Sequence, residues 1–123
     1  VGFRGAIVRV APGPDPTHTA LTEIYEPPAP GFGPRGGDVD GNGVYWVSLA
    51  SGHLASFDRR KCRSIAKPSA TGEQCAEGWT FFQLPGPQLK DVAEPGSAEA
   101  SYYTWIDRFD VFGLGRNVPI AMG

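Results

Sequence analysis

Apolar residues along this chain gather in short runs, several alternating with polar ones, and no segment keeps them at helical spacing for three turns. The runs are rich in β-branched and aromatic residues and are bounded by Gly, Pro or Asp, so the pattern predicts strand, turn, strand. Strands are expected at GAIVRV (5 to 10), LTEIYE (21 to 26), GGDVD (36 to 40), VYWVSL (44 to 49), HLASFD (53 to 58), WTFFQL (79 to 84), QLKDV (88 to 92) and YYTWID (102 to 107). A weaker candidate lies in GRNVPIAM, where Pro119 cannot donate to a ladder and suits an edge. VYWVSL is apolar on nearly every residue, as expected of a strand covered on both faces.

The elements repeat. GAIVRV then LTEIYEPP parallels GHLASFD then WTFFQLPG, and the second copy carries the longer loop. Setting GGDVDGNGVYWVS beside LKDVAEPGSAEASYYTWID matches Asp38-Val39 to Asp91-Val92 and Trp46 to Trp105. With four strands to a unit, the order reads 3, 4, then 1, 2, 3, 4, then 1, 2. The expected fold is all-β, built of antiparallel four-stranded blades of a β-propeller, with one complete blade flanked by partial ones. Residues 1–33 would end a preceding blade, 34–87 form the complete blade with a Cys-containing insertion at 59–78, and 88–123 start the next. A small β-sandwich of eight or nine strands is the alternative that strand count alone allows.

Composition agrees with many turns: 17 Gly and 12 Pro against one Met in 123 residues. A formal net charge of -2 and scattered Lys and Arg supply no basic field for nucleic acid. No apolar run approaches the roughly 20 residues needed to span a bilayer. The start at Val1 and the end at NVPIAMG, a strand barely finished, read as a piece of a longer chain.

The motifs Gly33-Pro34-Arg35-Gly36, Asp40-Gly41-Asn42, Val44 to Val47, Gly52 to Asp58 and Leu84-Pro85 resemble a blade of the streptogramin lyase-like (virginiamycin B lyase-like) propellers. NHL and quinoprotein propellers use similar turns, so the resemblance speaks to blade type more than to activity. In that family a metal ion, histidines and an acid near the channel mouth are implied to open a cyclic ester by elimination. Here Arg35 stands where the motif often has His, and the only histidines are His18, in a Pro-rich loop, and His53.

Arg35 is the first candidate for ligand binding, because a guanidinium offers a planar fork of donors to a carboxylate, sulfate or phosphate. A salt bridge to a neighbouring blade is its structural alternative. His53 is placed near the same mouth, and Trp105 and Asp107 complete the candidate ligand-binding set, with packing between blades as the plainer role of the tryptophan. Cys62 and Cys75 lie in the lengthened loop at a spacing that suits no four-ligand zinc site, and a disulfide closing that loop is expected, which points to the periplasm or the cell exterior.

Asp38, Asp40 and Asn42 mimic the start of a calcium loop, but Leu49 stands where an EF-hand needs its bidentate Glu. Asp-Gly-Asn-Gly between apolar runs is instead a hairpin turn, on the side opposite Arg35. The functional expectation is part of a secreted or periplasmic propeller that binds a small molecule, glycan or peptide at the channel mouth. It would hold no complete catalytic site and no cofactor in this piece, with neighbouring blades of the same chain as partners. The alternative is a metal-dependent lyase or quinoprotein-like enzyme, with a divalent metal in the lyase case and catalytic residues on other blades.

Overall fold

The computed structural model describes residues 4–63, 75–99 and 101–123. The chain is mostly β. Two strands, β1 (Ile7–Ala11) and β2 (Leu21–Tyr25), form a ribbon joined across a single helical turn, α1 (Pro16–Thr19). Six more, β3 (Pro34–Val39), β4 (Tyr45–Leu49), β5 (His53–Phe57), β6 (Trp79–Gln83), β7 (Tyr103–Asp107) and β8 (Val118–Met122), make one sheet in the order β6-β5-β4-β3-β7-β8. Seven of the eight firmly expected strands are present, and so is the weaker one at the end, with Pro119 on the edge strand β8.

Strands β3 to β6 are an antiparallel meander whose alternation sorts side chains onto two faces. Val47, Leu49, Ala55, Phe57 and Trp79 share one face, which packs on the ribbon through Tyr25 and Ile7. Tyr25 and Phe57 meet at 4.5 Å between ring centroids, and Phe57, Trp79 and Phe81 continue the aromatic row. On the opposite face of β4, Ser48 is fully buried and meets the Thr104 hydroxyl at 2.7 Å, while Ser101 donates to it at 2.5 Å. Because β7 is hydrogen-bonded beside β3 yet also lies over β4, the sheet curls there. The middle of β4 is therefore covered on both sides, as its nearly continuous apolar run predicts.

Residues 88–92, all described, form no strand. The side-chain amide of Gln88 donates to the carbonyls of Val92 and Glu94 and accepts from the Gly96 N–H, and the Ala98 N–H reaches the Pro87 carbonyl. The segment is thus a surface loop folded around the Gln88 side chain. Strand β7 runs parallel to β3, pairing Tyr103 with Gly36, and each strand runs on to an aspartate, Asp40 and Asp107. The two aspartates do the same work: each accepts from the backbone N–H groups two and four residues ahead, Asn42 and Val44 for Asp40, Phe109 and Val111 for Asp107.

Cys62 and Cys75 form the expected disulfide, their Cα atoms 5.1 Å apart, at the foot of the insertion. The segment between them, from 64 to 74, lies outside the described residues. Among the described residues no helix is long and apolar enough to cross a membrane.

Candidate functional site

The ribbon does not close fully on the sheet. Between β1 and the strands β3 and β4 lies a cleft of about 510 Å³ that runs along β3 from Pro34 and Arg35 to Val39. Its apolar wall is built from Ile7, Tyr25, Tyr45 and Phe57, and its polar wall from Arg9, Arg35 and Arg59. Alternation explains the placement: Tyr45 and Phe57 are register partners on one face of the meander, and Ile7 faces Tyr25 across the ribbon.

Two of the three arginines are already engaged. Glu23 accepts from Arg59 Nε at 2.8 Å and Nη2 at 2.6 Å, from Arg9 Nη1 at 3.2 Å and from the Tyr25 hydroxyl at 3.1 Å. The Arg59 fork, helped by Tyr25, overrides the cost of burial and holds the Glu23 carboxyl at about 2, well below its usual range. This cluster also ties the ribbon to the end of β5. Burial raises the Tyr25 hydroxyl, which stays protonated as a donor.

Arg35 differs. Its guanidinium lies 4.3 Å over the Tyr102 ring, and its Nη1 is shielded from solvent with no hydrogen-bond partner among the described residues. The aromatic face favours the cation, but it supplies no acceptor for that N–H.

The other expected site residues are dispersed. His53 lies at the same end of the sheet as Arg35, since Pro34 pairs with Leu49 and Leu49 with His53. Its ring is only 2 % exposed, with Nδ1 held by the Ser51 hydroxyl at 2.9 Å and its edge against Phe81, and burial pushes its pKa down. Asp107 sits at the opposite end, where Phe109, Val111 and Phe112 N–H groups occupy its carboxylate; the Val111 and Phe112 bonds chiefly keep it below the usual range. Trp105 faces outward on β7 against Phe112.

The DGNG stretch is a tight turn, as its composition predicts. Asp40 and Val44 close it by backbone hydrogen bonding, and the Asp40 carboxylate accepts from Asn42, Val44 and the Trp46 indole. Burial works against ionisation of Asp40, yet those donors together keep its pKa below the usual value. Among the described residues no group of three or more His, Cys, Asp or Glu is gathered as for a metal ion.

Sequence reasoning reached Arg35 but missed Arg9, Arg59, Glu23 and Tyr45. The cross-strand pair Arg9 and Glu23 is legible once the ribbon register is known. The approach of Arg59 has no local signal, because it depends on the ribbon docking on β5. Comparison with known proteins found no matching family model and no significant match among curated proteins or solved structures.

Proposed function

We propose that this chain is part of a secreted or periplasmic β-propeller that binds a small ligand beside Arg35 and holds no complete catalytic site in this piece. The observation that carries the binding role is Arg35, a guanidinium with no ion-pair partner among the described residues, on the wall of a cleft of about 510 Å³. That volume falls within the roughly 300–1,000 Å³ usual for small-molecule sites. The Arg35 guanidinium makes no ion pair among the described residues, so its charge is left for a ligand that carries an acceptor.

The propeller reading is supported by the complete meander β3 to β6 and by a neighbouring strand, β7, that repeats the inner strand β3 in parallel. In this reading residues 34–87 are one blade, the ribbon ends the blade before it, and 88–123 begin the blade after it, with its first strand at β7. A disulfide in the insertion is compatible with an oxidising compartment.

The test is a thermal-shift screen of the chain against small acids, sugars and short peptides, run in parallel on wild type and Arg35→Ala. A ligand that raises the melting temperature of the wild type and not of the variant is expected. A screen in which every responding ligand acts equally on both proteins, or none responds, would sink the reading.

A further inference from the structure

The charge on the cleft wall is one-sided. Among the described residues Arg9, Arg35 and Arg59 line it and no acidic residue does, and the carboxylate of Glu23 behind the wall serves two of those arginines. A positive excess remains there, although the whole chain carries a formal net charge of -2. Glu23 also shows what this wall takes up: one carboxylate, gripped by the Arg59 fork and by a tyrosine hydroxyl. The remaining surface is apolar and aromatic, from Ile7, Tyr45 and Phe57. Burial, with the charge of Asp38 nearby, raises Tyr45, so its phenol stays neutral, and the Asp38 carboxylate is itself paired with Arg108.

We infer that the cleft takes an organic carboxylate whose charged head meets Arg35 and whose apolar, ring-sized body lies against Tyr45 and Phe57. This rests on the ligand-binding reading above and narrows it to a chemical class. One free guanidinium matches one carboxylate bidentately, whereas a phosphate dianion calls for more donors than Arg35 offers once Arg9 and Arg59 are held by Glu23. The aromatic wall adds burial for a hydrocarbon body, which an inorganic anion cannot use.

The decisive experiment titrates the chain with 3-phenylpropanoate and with its neutral amide, 3-phenylpropanamide, followed by saturation-transfer difference NMR. The acid should bind about tenfold or more tightly than the amide, the gain expected of one charge-assisted contact, and rising salt should erode that advantage. Arg35→Gln should bring the acid down to the affinity of the amide and leave the amide unchanged. Should that variant fail to fold, the acid-to-amide ratio of the wild type and its salt dependence decide alone. Equal binding of acid and amide overturns the carboxylate assignment while leaving a ligand cleft in place. Displacement of the acid by inorganic phosphate at comparable concentration overturns it too. Absence of transfer to either probe also overturns it, and the thermal-shift screen then tells whether the broader binding role falls with it.

Discussion

Glu23 is the residue through which the ribbon and the meander hold each other, and replacing it with Gln tests that directly. The substitution keeps the shape and removes the charge that Arg59 and Arg9 share. A carboxyl lowered from 4.5 to about 2 favours its charged form in the folded state by about 3 kcal/mol, at about 1.4 kcal/mol per tenfold change in acidity. The Glu23 side chain is 14 % exposed but that of Arg59 is 35 % exposed, so solvent screening reduces the expected loss to about 2 kcal/mol. For a chain of this length that is about 8 °C in melting temperature. The sign follows from the depressed folded pKa: the stabilisation is complete above the unfolded value near 4.5 and disappears as pH falls toward about 2. Urea unfolding of wild type and Glu23→Gln, disulfide intact, should therefore show a clear gap at pH 7 that narrows across that window. Equal stability at pH 7, or a gap unchanged at pH 2, would refute the reasoning.

Reducing the Cys62–Cys75 bridge, or replacing both cysteines with Ser, should cost about 3 kcal/mol on the chain-entropy account of a loop this long, seen as a lower urea midpoint. Gly52→Ala should destabilise by about 2 kcal/mol or more, because φ is +76° and a Cβ there would run into the Ser97 backbone; a circular-dichroism melt unchanged by the substitution would contradict this. His53, kept neutral by burial, should titrate below its ordinary 6.5, so stability present above that pH declines as pH falls through the lower folded value; an imidazole NMR midpoint at or above 6.5 would show the ring is not desolvated.

What the sequence by itself determined is what depends on near neighbours. Alternation and turn residues located β1 to β6, β7 and β8, because a strand's faces and a tight turn's dihedrals are set within a few residues. Asp40 to Gly43 was legible as a turn for the same reason, and the two cysteines as a bridge because they are the only two and their spacing suits no four-ligand zinc site. QLKDV failed where local propensity met competition: it reads as a strand, but Gln88 offers the backbone of 92–96 a closer set of partners. Only the tertiary structure decided that β7 lies parallel to β3, which carried Asp107 to the end opposite Arg35, and that His53 would be buried against Ser51 and Phe81. It decided equally that Glu23 would claim Arg59, 36 residues away, and that Arg35 would be left without an acceptor. Those outcomes depend on how the ribbon docks on the sheet. Docking is driven by non-directional burial of Tyr25, Phe57 and their neighbours, and that force selects which faces meet without announcing in the sequence which charges will be brought together.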